Sequence, residues 1–270
     1  MLDEDFDAEQ LAPRWVRTTP NGGQLTCAGS VLRLALPGAV AGRYSDAQID
    51  DYDHLPRRRF PWRPPLRLEV RARASHPQPS PTSPERAVEE TVCGTAGFGF
   101  WNYPFSLTGA VLTLPEAAWF FYASPPSNMA LVPGVAGWGW KAQVVHARRW
   151  GALAAGMPAV AAVGWARATG DERMAARWLR RVSGAAEAHL APALGEWHDY
   201  ILIWRREEAR FVVDGQEVLI APDPPPGPLG FVAWIDNQFA IATPRGELRF
   251  GTLASGPQWL DLDSVRITPL

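Results

Sequence analysis

The chain has 270 residues, with 26 Lys or Arg against 28 Asp or Glu, a formal net charge of -2. Without a basic excess, nucleic acid is excluded as its main partner, while a 47% hydrophobic content that includes 13 Trp supplies a large core. All-β domains of this length often run undivided, so a single domain over 1–270 is expected.

The most apolar stretch, 151–166, is interrupted by Gly156, Pro158 and Gly164 and is shorter than the roughly 20 residues of a spanning helix, so no membrane partner is expected. The acidic start, MLDEDFDAEQ, lacks the basic and apolar regions of an export signal, which reads as a cytoplasmic location. Cys27 and Cys93 have no metal-ligand spacing and read either as a pair or as two small buried hydrophobes.

In chain order, 3–15 reads as an opening turn and 24–36 as two early strands. In the second of these, Leu32, Leu34 and Leu36 alternate with Val31, Arg33 and Ala35, the period of two that marks a strand. Residues 56–65 are a basic, Pro-rich link. In Leu66–Ala74 the residues Leu66, Leu68, Val70 and Ala72 take one face, and Arg67, Glu69, Arg71 and Arg73 take the other. One face is therefore dry and the other charged. The Pro- and Ser-rich run 76–84 is an exposed loop by composition. Residues 94–105, 114–123 and 137–145 are three more strands. Gly97 and Gly99 interleave with Phe98 and Phe100 in the first, a pattern of close approach on one face.

The period then changes. From 146 to 194 β-branched residues are few, and in 171–182 Met174, Trp178 and Val182 fall at helical spacing behind Asp171 and Glu172, acids that favour a helix N-terminus. Two or more inserted helices are expected there, covering a sheet face or roofing a cleft. The strand pattern returns at 196–215, EWHDYILIWRREEARFVVDG, as two aromatic and β-branched runs around a charged turn. Trp197, Asp199, Ile201 and Ile203 share one face, and His198, Tyr200, Leu202 and Trp204 the other. Neither face is purely polar, which places this hairpin between two layers. Asp214-Gly215 is a hairpin turn leading into a strand at 216–220. After a stiff connector at 221–228, strands are expected at 230–242 and 247–253.

Several of these runs resemble one family in its own order. W-H-x-Y-x-I-x-W and R-F-V-V-D-G are similar to late strands of the concanavalin A-like lectin/glucanase sandwich, most of all to family 16 glycoside hydrolases of the laminarinase and lichenase type. Arg43 to Ile49 resembles its Y-[ST]-x-[GA]-x-I strand, LRLEVRARA its G-R-F-E-V-R-A-K strand, and GTAGFGFWNYPF its G-T-W-P-A-F-W-L strand. WLDLDSVRI resembles its closing D-x-V-R-V strand. The resemblance implies an all-β jelly roll of two antiparallel sheets with a concave cleft, here with a helical insertion at about 146–194.

It also implies a catalytic strand, and there the chain departs from the family. Retaining glycosidases place two carboxylates about 5–5.5 Å apart, which the family draws from E-x-D-x-x-E on one strand. The matching run, PEAAWFFY, offers Glu116, then Ala118 and Phe121 in place of the other two acids. Glu116 reads as a strand-edge carboxylate or as the surviving member of the pair. A relocated partner would be Asp236 or Asp50. The acids Asp46, Asp50, Asp51 and Asp53 read as a solvated loop or as such a source. Asp236-Asn237-Gln238 interrupts an apolar run and reads as a buried hydrogen-bond network or a ligand site.

His146, His189 and His198 show no metal-ligand spacing, and no phosphate loop or Gly-x-Ser-x-Gly occurs, so neither metal nor cofactor is expected. What remains is aromatic surface. Trp101, Tyr103, Trp119, Tyr122, Trp138, Trp140 and Trp234 fall on strands that line the cleft in the resembled family, where rings stack on sugars and polar groups such as Asn237 fix hydroxyls. The function expected is binding of a carbohydrate or similar polyhydroxylated ligand without family-type retaining catalysis. The alternatives are a glycosidase with a relocated carboxylate pair built on Glu116 and Asp236, and an intracellular module for a small molecule or protein.

Overall fold

The computed structural model of the chain describes residues 1–77, 91–103, 115–132, 134–146, 185–242 and 248–270. Among these the strands are, in chain order, β1 (Leu2–Glu4), β2 (Val16–Thr18), β3 (Gln24–Cys27), β4 (Leu32–Leu36), β5 (Asp46–Asp50), β6 (Leu66–Ala74), β7 (Thr95–Trp101), β8 (Glu116–Ala123) and β9 (Gly139–His146). There follow β10 (Ala186–His189), β11 (His198–Trp204), β12 (Glu208–Val213), β13 (Gln216–Pro222), β14 (Gly230–Asp236), β15 (Gln238–Ala242), β16 (Leu248–Thr252) and β17 (Gln258–Pro269).

One sheet runs β13-β12-β11-β6-β17-β4-β3, with β1 added on β17; the other runs β10-β9-β8-β7-β14-β5-β2. Every ladder in both is antiparallel. The two sheets pack face to face as a jelly-roll sandwich, the class that the alternating sequence pattern demands. Early strands sit beside late ones, β5 against β14 and β6 against β17, so each sheet closes only when the chain ends meet.

The core follows strand parity. Leu66, Leu68, Val70, Ala72 and Ala74 of β6 and Tyr200, Leu202 and Trp204 of β11 come from the first sheet. From the second come Phe98 and Phe100, Ala118, Phe120 and Tyr122, Trp140, Ala142 and Val144, and Phe231, Ala233 and Ile235. Each large apolar side chain so buried contributes about 1.5–3 kcal/mol of transfer free energy.

Several expectations change. The opening segment contributes β1 and β2 to the two sheets. The hairpin β11–β12 is not sandwiched between layers. Tyr200, Leu202 and Trp204 are buried, but Asp199 is exposed and Ile201 and Ile203 are half-exposed, because this hairpin belongs to a sheet whose far face carries charge. There Trp197 and Trp259 flank Arg73, at 4.7 and 5.2 Å from the guanidinium. The Asp214-Gly215 turn has both residues at positive φ, 49° and 78°, as a two-residue hairpin requires. The run 230–242 breaks at Asn237 into β14 and β15. The helical insertion falls mostly outside the described residues; its described end instead forms β10, which pairs with β9. Cys27 and Cys93 are free thiols.

Candidate functional site

The outer face of the seven-stranded sheet is built by the residues that alternate with the core set. On β8 these are Ala117, Trp119, Phe121 and Ala123; on β7 Thr95, Gly97, Gly99 and Trp101; on β14 Gly230, Val232, Trp234 and Asp236. A second apolar cluster covers this face. It joins Phe121, Ala123, Val232 and Trp234 to Tyr52 and Phe60, with Trp101, Tyr103, Trp119 and Met129 partly buried against it. Two segments therefore border an aromatic floor, one around Tyr52–Phe60 and one around Met129.

The floor depends on two glycines. A Cβ on Gly97 would lie 2.9 Å from Trp234 Cη2 and 2.3 Å from the Phe120 carbonyl, and one on Gly99 (φ +145°) would lie 2.6 Å from Trp119 Cα and Cβ. With no side chain in the way, the neighbouring indoles pack down onto β7. Trp119 stands 5.8 Å from Trp101, 5.3 Å from Trp234 and 5.4 Å from Phe121 between ring centroids.

Each floor indole is tied by its N–H. Trp101 donates to the Tyr52 hydroxyl, Trp119 to Gln143 Oε1 at 2.8 Å, and Trp234 to Thr95 Oγ1 at 2.9 Å. With the polar edge satisfied inside the protein, what Trp101 and Trp119, both half-exposed, offer a ligand is ring surface.

Behind Trp119 sits a buried polar cluster that the sequence did not announce. Gln143 Nε2 donates to Glu187 Oε2 at 3.0 Å, and Lys141 Nζ donates to the same oxygen at 3.1 Å. Glu187 Oε1 accepts the N–H groups of Leu131 and Val132 at 2.9 and 3.0 Å, and His189 Nε2 accepts that of Ala136 at 3.1 Å. The side chains of Lys141 and Glu187 are about fully enclosed, 1% and 0% exposed. Burial pushes the Lys141 ammonium below its ordinary pKa, against the pull of Glu187. Burial also lowers His189, with Lys141 adding to it. The cluster thus clamps the backbone at Leu131, Val132 and Ala136 to β9 and β10 while fixing the partner of Trp119. A lone Glu among alanines and a Lys in an apolar strand gave no spacing signal; only the β9–β10 pairing, Glu187 opposite Gln143, brings them together.

Of the residues expected to line a cleft, Trp101, Trp119 and Trp234 are on the outer face, and Tyr103 packs on Trp101 at 5.3 Å. Tyr122 and Trp140 are corrected. Both are fully buried between the sheets, since they share parity with Phe120 and Ala142, and the Tyr122 hydroxyl donates to the Val92 carbonyl at 2.9 Å. Trp138 precedes β9, half-buried. Asn237 is corrected to a structural staple. Its Oδ1 accepts the Ser45 N–H at 2.9 Å, and its Nδ2 donates to the Arg43 and Leu253 carbonyls at 3.0 and 2.8 Å, which uses the amide at the β14–β15 break.

The carboxylates also move. Glu116 has the parity of Ala118, so it points to the inter-sheet side, where Oε1 lies 3.7 Å from His146 Nε2. Asp236 is on the outer face and level with Thr95 and Ala123, whereas Glu116 lies one residue beyond the Ala117–Trp101–Gly230 row. That separates them by roughly 23 Å along β8, at about 3.3 Å per residue, and by one sheet thickness. Glu116 and Asp236 are not brought together as a pair, and the outer-facing positions of β8 hold no acid.

Asp50 and Asp51 are buried rather than solvated. Asp50 Oδ1 caps the Tyr52 and Asp53 N–H groups, and Asp51 accepts from Trp62 Nε1 at 2.6 Å and the Phe231 N–H at 2.9 Å. Burial raises Asp51 to about 7 and Asp236 to about 6. An acid that holds its proton longer in the folded than in the unfolded chain adds stability at low pH and loses it as pH climbs from about 4 through 7. The melting temperature is therefore expected to be higher at pH 5.5 than at pH 8, with the difference reduced in Asp51→Asn. Calorimetry showing equal values for the wild type would contradict this.

No family model and no curated protein matches the sequence. Solved structures share the fold over its whole length. The chain is similar to an endo-acting O-glycanase of the human gut microbiota at 15% identity and a TM-score of 0.53, covering 100% of this chain and 99% of that one. It is similar to a pseudo β-1,3-glucanase and immunostimulatory antigen of Mycobacterium tuberculosis at 14% identity and 0.52, covering 100% and 98%. The catalytic domain of an endo-1,3-β-glucanase (laminarinase) of Thermotoga petrophila matches at 12% identity and 0.51, covering 99% and 96%. At these identities the shared property is the concanavalin A-like sandwich itself. Among the described residues no helix is long and apolar enough to cross a membrane.

Proposed function

We propose that the chain binds a glycan along the outer face of the seven-stranded sheet, its sugar rings stacking on Trp101 and Trp119 beside Tyr103 and Trp234. The observation that carries this reading is the tethering of all three indole N–H groups, which leaves ring faces as the contact surface between two bordering segments. Sugars present apolar C–H faces that such rings accept, with polar groups around them setting orientation. Two of the structural neighbours, the endo-acting O-glycanase and the endo-1,3-β-glucanase, act on glycans, which supports the same ligand class.

The reading is of binding rather than family-type retaining hydrolysis, because β8 presents Ala117, Trp119 and Phe121 outward where such chemistry needs two acids. The test is a glycan-array screen that includes β-1,3-glucans and mucin-type O-glycans, with hydrolysis of laminarin followed on the same preparation. Retention of a glycan without cleavage supports the proposal. Cleavage that survives Trp119→Ala would point to another site, and silence across the array would sink the reading.

A further inference from the structure

The end of this face away from Trp101 carries a feature that the aromatic floor does not use. Asp46 of β5 and Asp236 of β14 are register partners. Ala47 and Ile235 point into the core, so both acids stand on the outer face. Directly opposed residues in an antiparallel ladder have Cβ atoms about 4.5–5.5 Å apart, and like charges there repel. The two are nonetheless 1% and 6% exposed.

Their oxygens are treated differently. Asp236 Oδ1 accepts from the Thr95 N–H at 3.2 Å, from Thr95 Oγ1 at 2.9 Å and from the Gln238 N–H at 2.9 Å. Asp46 Oδ1 is enclosed and has no hydrogen-bond partner among the described residues. Leaving a buried acceptor unpaired costs a fold about 1–3 kcal/mol, and a donor brought by a ligand would remove that cost. The Tyr44 side chain, from the loop before β5, lies within electrostatic reach of Asp46 while its residue remains 37% exposed. Trp234 is joined to the pair through Thr95, which receives its N–H and donates onward to Asp236.

We propose that Asp46, Asp236 and Tyr44 form a polar subsite at one end of the aromatic floor, in which Asp46 Oδ1 accepts a hydrogen bond from a hydroxyl group of a polyhydroxylated ligand. The inference rests on the glycan reading of this face. A sugar hydroxyl donates and accepts through one oxygen, so it satisfies Asp46 Oδ1 and receives from Tyr44 or from whichever carboxyl carries a proton. Two acids this close hold one proton between them up to a pH at which isolated carboxylates are ionised. Burial pushes Asp46 well above its ordinary range, with Asp236 and then Asp50 adding to the rise and Tyr44 and the Ala47 N–H opposing it. Asp236 is raised by burial against the bonds from Gln238 and Thr95, and Tyr103 also lies within electrostatic reach of Asp46. Loss of the shared proton leaves two facing anions, so affinity falls as pH rises.

The test is calorimetric binding of laminarihexaose to the full chain at pH 5.5 and pH 8. Wild type is expected to bind about tenfold more weakly at pH 8. Asp46→Ala, which removes the acceptor, should bind about tenfold or more weakly at pH 5.5. Asp46→Asn, which keeps an acceptor and removes the charge, should bind within about threefold of the pH 5.5 wild-type affinity at both pH values. Wild-type affinity in Asp46→Ala, or an undiminished pH dependence in Asp46→Asn, would overturn the subsite. If Trp119→Ala loses binding in the same series while Asp46→Ala does not, the glycan reading stands and only the subsite falls. Failure of wild type to bind laminarihexaose at either pH removes both.

Discussion

Glu187→Ala is expected to lower the stability of the fold by about 3–5 kcal/mol, the cost of leaving one member of a buried ion pair uncompensated. The carboxylate is the hub of four hydrogen bonds, from Lys141, Gln143 and the N–H groups of Leu131 and Val132. Without it the Lys141 ammonium is enclosed with no counter-charge, and an already lowered pKa falls further. The backbone donors of Leu131 and Val132 lose their acceptor as well. The double variant Lys141→Met/Glu187→Leu is expected to recover much of the loss, since replacing both charges by apolar groups removes the desolvation cost instead of exposing it. Chemical denaturation of the three proteins checks this. A Glu187→Ala variant within about 1 kcal/mol of wild type would show that the cluster is not the clamp described here.

Trp119→Ala is expected to weaken glycan binding by more than about thirtyfold, a loss of about 2 kcal/mol, as for a central aromatic anchor. Trp119 is the middle ring of the floor, in contact with Trp101, Trp234 and Phe121, so its removal interrupts the stacking surface rather than trimming one end. Its ring is half-exposed and borders a face, so the fold should persist in this variant. Circular dichroism then separates loss of ligand from loss of structure. Gln143→Leu is the companion change. It unties the Trp119 N–H without removing the ring and should cost affinity less than the alanine does. Equal affinities for wild type and Trp119→Ala toward a glycan retained on the array would remove the aromatic floor from the mechanism.

Much of the fold was legible because strand alternation is a local property. Leu66–Ala74 carries its own inside and outside, and the Asp214-Gly215 dipeptide fixes a turn through backbone sterics alone. Where the pattern was less pure, local reading failed for a stated reason. The hairpin β11–β12 bears isoleucines on its outer face, which mimics a strand covered on both sides. The four residues of β10 lie in an alanine-rich stretch that reads as helix, and they extend only because the edge of β9 offers a ladder to complete.

The candidate site was half legible. Parity relative to Phe98 and Phe100 could have sent Tyr122 and Trp140 inward. That inference needs the register of β7, β8 and β9, which no single strand contains. The same holds for the acids. By itself the sequence determined the all-β class, the alternating core and the lack of acids in the second and third positions of the expected catalytic motif, because each is a matter of residue type and period along one segment. Only the tertiary structure decided which face Glu116 takes, that Glu187 anchors Lys141 and Gln143, and that Asp46 stands opposite Asp236. These depend on which distant strands pair and in what register, and a shift of one residue would send every one of these side chains to the other face.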